Sequence, residues 1–349
     1  MRETIVIVDS SALTLAVAEH AFSELYDVIG IQTASDVFIL LETIKPSIML
    51  IDSAMPDMDT LELIKTLKKH ASYKAIPIVL LTSSHNDNAI IKGLEIGVAD
   101  FITKPFSAPI LLARIQAHIN TDKLIKSRTQ DLQQALISLD NMHRNLLFIL
   151  ADIVETRDNN ADRGHIERTI RYAEALISKM IEEEVYKEEI YTWDLSNINA
   201  SISLHDIGKI GISDVILNKP DKLSPEEYEI MKEHANIGAI LIDRVIDKSG
   251  GDNFLYEAKV FAQTHHENWD GSGYPQGLAG ENIPLQGRVM AIVDVYDVLV
   301  TDKPYKKAFT PEFAFETIIA EAGTKFDPKI VEVFAKLREE FEEIQREFE

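Results

Sequence analysis

The chain has 349 residues, 46% hydrophobic and 26% charged, with a formal net charge of −22 at pH 7 and no cysteine. The length exceeds one typical core and predicts two domains with a connector; no apolar run is long enough to span a bilayer. Missing thiols exclude disulfides, thiolate zinc sites and cysteine nucleophiles, leaving nitrogen and oxygen as metal donors, and the acidic balance excludes DNA and RNA as partners.

The start, MRETIVIVDSS, goes straight into a strand-like run without the flanks of a signal peptide, so a cytoplasmic location is expected. Apolar runs at 4–8, 28–31, 48–51, 76–81 and 98–103 alternate with amphipathic segments such as 60–70 and 88–96. Five βα repeats with short connections predict a five-stranded parallel sheet covered on both faces. Ligands of such sheets sit beyond the carboxyl ends of the strands, and Asp9, Asp52, Thr82 and Lys104 fall there.

With Met55-Pro56 after Asp52 and Pro105 after Lys104, residues 1–120 resemble a response-regulator receiver domain, an α/β flavodoxin-like fold. The resemblance implies that Asp52 is phosphorylated by a cognate histidine kinase with Mg²⁺ present. It also implies that Lys104 and Thr82 contact the phosphoryl oxygens and that Phe101 is the aromatic switch position. A carboxylate attacks phosphorus only when a cation neutralises the developing charge. Receivers usually carry two adjacent acids where this chain has Asp9-Ser10, which weakens a Mg²⁺ pocket. The other reading is a receiver that serves for docking or dimerisation.

Residues 107–155 read as one long helix, without glycine or proline after Pro109. Ile125, Leu132, Leu139 and Leu146 recur every seven residues, with Leu136 and Met142 partly filling a second seam. Residues 121–150 are therefore expected to be a coiled-coil-like linker that pairs two chains as a homodimer, the alternative being a helix packed on its own domain. From 151 to 349 the patterns are helical. Ser224-Pro225-Glu226-Glu227 is a helix start with an N-cap serine and a capping glutamate. The glycine-rich stretch 270–280 is a loop, and 338–349 is an acidic amphipathic helix with Phe341, Ile344 and Phe348 on one side.

Five of the ten histidines form an ordered series, His165, His205, His234, His265 and His266, with Asp206 beside the second and Asp294 in the apolar segment 289–300. A lone histidine is usually an ordinary hydrogen-bonded residue and a lone buried aspartate is usually salt-bridged. Here His205-Asp206 lies within the apolar stretch 202–210, and Asp294 and Asp297 lie among Ile292, Val293, Val295, Val298 and Leu299. Unpaired, these groups are costly; a shared cation satisfies them together. Five imidazoles and two carboxylates exceed one octahedral ion, and neighbours on a helix point about 100° apart, so two metals with Asp206 between them are expected. Nitrogen and oxygen donors with open positions suit iron or manganese.

His205-Asp206-Ile207-Gly208-Lys209 resembles the core of the HD phosphohydrolase superfamily, and HHENWDGSGYP at 265–275 resembles the signature of its HD-GYP subfamily. The similarity runs over about residues 145–335 and includes Lys303-Pro304-Tyr305. It implies an all-α HD domain over 151–349, with metal ligation by His165, His205, Asp206, His234, His265, His266 and Asp294. The implied activity is hydrolysis of cyclic di-GMP by metal-activated hydroxide to pGpG or GMP, with Asp206 and Lys209 as catalytic residues. Lys209 would reach a phosphate at the metals, and Lys303 and Lys306 the other phosphate; Tyr274 contacts substrate or packs its loop. Position 303 is usually arginine in this family, so a bidentate clamp becomes a point charge. Members with a third metal use a glutamate four residues before the first histidine, where this chain has Ala161. The alternative function is a catalytically weak module that binds cyclic di-GMP or partner proteins.

Overall fold

A computed structural model of the chain describes residues 2–83, 87–158, 164–249, 253–302 and 307–348. Ala161, Lys303 and Lys306 lie outside the described residues. The chain divides into two compact units, 1–136 and 137–349.

The first unit is a parallel sheet of β1 (Thr4–Val8), β2 (Asp27–Ile31), β3 (Ile48–Asp52), β4 (Ile78–Thr82) and β5 (Asp100–Thr103), in the order β2-β1-β3-β4-β5. Helices α1 (Ala12–Phe22), α2 (Asp36–Thr43), α3 (Thr60–Lys69) and α4 (Asp87–Glu95) connect the strands, and α5 (Ala108–Thr156) follows β5. Val6, Val8, Met49, Ile51, Ile78 and Leu80 pack with Leu63, Ile64 and Leu67 of α3. Ile5, Ile7, Ile48, Leu50, Val79 and Leu81 pack with Phe22 of α1 and with Leu111, Ile115 and Ile119 of α5. Because both faces are buried, the strands read as continuous apolar runs rather than alternating ones. The run at 76–81 becomes strand only from Ile78, because Pro77 has no N–H to donate to a ladder.

Helix α5 starts in the first unit and ends in the second. Its heptad residues Ile125, Leu132, Leu139 and Leu146 are 46–61% exposed, whereas Ala151 and Val154 are buried. The second unit continues with α6 (His165–Glu182), α7 (Lys187–Ile190), α8 (Ile198–Ser203), α9 (Asp214–Leu217), α10 (Pro225–Ser249), α11 (Asn253–Thr264), α12 (Leu285–Val300), α13 (Pro311–Ala320), α14 (Pro328–Phe334) and α15 (Arg338–Glu347). Phe341 and Ile344 of α15 are buried, Phe341 against the rings of Tyr172, Tyr296 and Phe334. Phe348, expected on the same side, follows the end of the helix and stays 38% exposed. At the start of α10 the Glu227 N–H donates to Ser224 Oγ at 3.3 Å and the Ser224 N–H to the Glu227 carboxylate at 2.7 Å. Among the described residues no helix is long and apolar enough to cross a membrane.

After α8 the chain turns through His205 and Asp206 into a 3₁₀ turn, Ile207–Gly211, which lies directly against α10. The crossing is close enough that a Cβ on Gly208 would stand 1.9 Å from the His234 carbonyl oxygen and 2.5 Å from the Gly238 nitrogen. Both obstacles are backbone, so no rotamer change relieves them. Gly208→Ala should therefore destabilise the second unit by about 3 kcal/mol, read by denaturant unfolding. A variant with wild-type stability would show that the crossing is looser than this.

Candidate metal centre

His165 opens α6, His205 and Asp206 occupy the turn after α8, His234 lies on α10, His265 and His266 follow α11, and Asp294 is on α12. Two groups of ligand atoms result, each with all members within 4.8 Å of one another: His165, His205 and Asp206, and Asp206, His234, His265 and His266. Asp206 belongs to both. Its Oδ2 lies 3.5 Å from His205 Nε2, while its Oδ1 lies 3.3 Å from His234 Nε2 and 3.6 Å from His265 Nε2. Asp294 belongs to neither group. It lines a cavity of about 570 Å³ together with His265, His266, Tyr228, Lys232 and Tyr274.

The hydrogen bonds on the far side of the rings decide the tautomers. His205 Nδ1 donates to the Ile202 carbonyl at 2.9 Å, His234 Nδ1 to Met231 at 2.7 Å, and His265 Nδ1 to Phe261 at 3.0 Å and Ala262 at 3.1 Å. His165 Nδ1 donates to the Asp297 carboxylate at 2.7 Å. A carbonyl or carboxylate oxygen only accepts, so Nδ1 carries a proton in each of these rings and Nε2 is the nitrogen left to meet a cation.

His205 Nε2 and Asp206 Oδ1 are buried without a hydrogen-bond partner. Buried acceptors facing one another are unfavourable until a cation joins them, and imidazole nitrogen with carboxylate oxygen is a donor set for a divalent ion. Burial pushes His234 down to about 4 and holds His266 well below its usual value, so both rings are neutral at pH 7 and fit to ligate. Burial works against protonation of His205 too, yet the Asp206 carboxylate outweighs it and lifts the ring to about 9. A cation in the site would answer the same carboxylate charge as that proton.

One expectation from helical spacing needs correction. His205 and Asp206 lie past the end of α8, so the 100° separation of helical neighbours does not govern them. In the 3₁₀ turn the Lys209 N–H donates to the Asp206 carbonyl at 3.0 Å, which sets residue i+3 over residue i. Lys209 Nζ consequently lies 2.8 Å from Asp206 Oδ2, with Asp158 Oδ2 at 3.2 Å and Glu155 Oε2 at 3.8 Å. Burial alone would lower the Lys209 pKa, but these three carboxylates raise it well above the usual value.

Asp297 is a further correction, because its cation is an arginine rather than a metal. Arg168 Nε donates to Asp297 Oδ1 at 2.6 Å and Nη2 to Oδ2 at 3.1 Å, with both residues buried. The same carboxylate orients His165, so Arg168 and Asp297 act on the site from behind it. Glu267 is another residue that spacing did not single out. It is buried and accepts from the Gln276 N–H at 2.7 Å and the Leu278 N–H at 2.9 Å, which ties down the loop at 270–280. Tyr274 in that loop donates its N–H to the His266 carbonyl at 3.1 Å and tilts its ring 4.7 Å from the His266 ring. Burial raises the Tyr274 hydroxyl far above the range in which it ionises.

In the first unit Lys104 Nζ meets Asp9 at 2.5 Å and Asp52 at 3.1 Å. The Thr82 carbonyl accepts from the Lys104 N–H at 2.7 Å, and Asp9, Asp52 and Thr82 are all buried. Ser10 is exposed, and Asp9 Oδ1 accepts from the Ser11 N–H at 2.9 Å. Phe101 is partly buried against the sheet.

A family model described as HD domain matches residues 149–330, and one described as response regulator receiver domain matches residues 5–116. A Vibrio cholerae protein named "Probable cyclic di-GMP phosphodiesterase" is 32% identical over 99% of this chain and 80% of its own length. "Cyclic di-GMP phosphodiesterase response regulator RpfG" of Xanthomonas campestris pv. campestris is 33% identical over 99% of this chain and 90% of its own. A "Cyclic di-GMP phosphodiesterase" of Thermotoga maritima is 32% identical over 98% and 92% respectively. The clustered imidazoles, the shared carboxylate and these matches together place the chain in the HD domain family, with a response regulator receiver domain preceding the HD domain.

Proposed function

We propose that the chain is a metal-dependent cyclic di-GMP phosphodiesterase regulated by its receiver and a cognate histidine kinase in the cytoplasm. What carries the reading is Asp206 between two imidazole groups, in a chain 32–33% identical over nearly its whole length to three proteins named for that activity. The domains are a receiver over 1–120, a helical linker over 121–150 and the catalytic domain over 151–349.

His165, His205 and Asp206 would hold one divalent ion, and Asp206, His234, His265 and His266 a second, with Asp294 completing the set. Iron or manganese suits these donors. When bound, such ions supply a Lewis acid for a phosphoryl oxygen and lower the pKa of water. Lys209 donates to a phosphoryl oxygen and offsets the negative charge that builds there during hydrolysis. Lys303 and Lys306 contact the second phosphate, and the half-buried ring of Tyr274 offers a face for a base. In the receiver, Asp52 takes the phosphoryl group, with Asp9 and Mg²⁺ beside it and Lys104 and Thr82 on its oxygens. The exposed heptad face of α5 is covered by the same face of a second copy.

Anaerobically purified protein should carry about two ions per chain, and three at full occupancy would overturn that count. Manganese- or iron-loaded protein should turn cyclic di-GMP into pGpG or GMP on chromatography; binding without product would make the chain a sensor. Acetyl phosphate with Mg²⁺ should label the protein at Asp52 and leave Asp52→Asn unlabelled, and an unlabelled wild type would end the phosphorylation reading. Sedimentation of the full chain should give a dimer that Leu132→Asp weakens. A monomeric wild type would remove the role given to the heptads.

A further inference from the structure

We infer that the C-terminal end of α5 is a positioning element for Lys209, with Glu155 and Asp158 setting where its ammonium stands. The phosphodiesterase reading enters only through the reaction used as one readout. Lysine is a point charge on a flexible four-carbon stem, so its reach alone does not locate it. Here three carboxylates converge on it, Asp206 at 2.8 Å, Asp158 at 3.2 Å and Glu155 at 3.8 Å, and Glu155 is buried. Asp206 already faces the imidazoles of both groups. A lysine held by Asp206 alone would compete for lone pairs that the ligand needs. Glu155 and Asp158 anchor the ammonium without using them.

The backbone around Lys209 is tied to the same helix end. Arg157 Nη1 donates to the Ile210 carbonyl at 3.1 Å, and Nη2 donates to the Ile212 carbonyl at 3.3 Å and to Asp214 at 2.7 Å. The Arg157 carbonyl accepts from Asn218 Nδ2 at 2.9 Å. Side chain and main chain of the Lys209 segment are thus both referred to 155–158. Helix α5 is continuous from Ala108, so a displacement that reaches its end moves Lys209.

The test uses metal-loaded full-length protein carrying Glu155→Gln and Asp158→Asn, singly and together. The double variant should lose roughly 10- to 100-fold in kcat, the size expected for a misplaced catalytic group, with KM and metal content near wild type. In a Lys209→Met background the same two changes should cost nothing further, whereas a purely structural role would cost the same in both backgrounds. Asp152→Asn, exposed on the same helix, should leave kcat unchanged. A double variant with wild-type kcat, or an equal loss without Lys209, overturns the inference. A crystal structure of the double variant gives a readout independent of turnover: Nζ should leave its place beside Asp206, and an unmoved Nζ refutes positioning. A wild type that fails to hydrolyse cyclic di-GMP would sink the proposed function alone, because the Nζ position is still read.

Discussion

Four imidazoles of the second unit donate a hydrogen bond from Nδ1–H to an acceptor outside the cluster, and the site's chemistry depends on that constraint. For His205, His234 and His265 the acceptor is a carbonyl three or four residues earlier in the chain. The helical turn that delivers each ring therefore also locks its tautomer and rotation. No long-range contact is needed for this, so the Nε2 atoms are aimed before any ion arrives. Such preorganisation removes an ordering cost from binding.

The aimed Nε2 atoms create a demand that packing alone does not meet. Asp206 brings a carboxylate into the centre of them, and its two oxygens face different histidines. Two features hold the arrangement together. Gly208 lets the segment after Asp206 press against α10, which carries His234. Asp297, neutralised by Arg168, accepts the hydrogen bond from the His165 Nδ1–H. A buried charge that has lost its partner is strongly destabilising, so this pair serves the fold as well as the ligand.

Much of this was legible in the sequence. The parallel sheet could be read because burial on both faces leaves apolar runs, and α5 because a stretch free of helix breakers offers few alternatives. The histidine series and the HHENWDGSGYP segment marked the site. The division of labour between the oxygens of Asp206 was not legible, since 202–210 is as compatible with a continued helix as with the turn that forms. Arg168 and Asp297 are 129 residues apart, and Glu155 meets Lys209 from another helix. Neither pair has a spacing that would announce it. Glu267 holds the loop through the N–H groups of Gln276 and Leu278, partners that its place in the signature does not announce.

The receiver residues lie at the ends of β1, β3, β4 and β5, and the HD domain brings His165, His205, Asp206, His265 and His266 from helix ends and turns against His234 and Asp294 inside α10 and α12. The end of α5 and the two residues after it bring Glu155 and Asp158 to Lys209, and α5 is the helix that begins in the receiver unit. Asp206 is common to both histidine groups, and the proposed function makes it the ligand that joins them into one centre. Metal titration of Asp206→Ala beside His165→Ala measures this directly. A shared Asp206 predicts that Asp206→Ala loses tight binding of both ions while His165→Ala keeps one. An Asp206→Ala protein that still binds two ions tightly would contradict it.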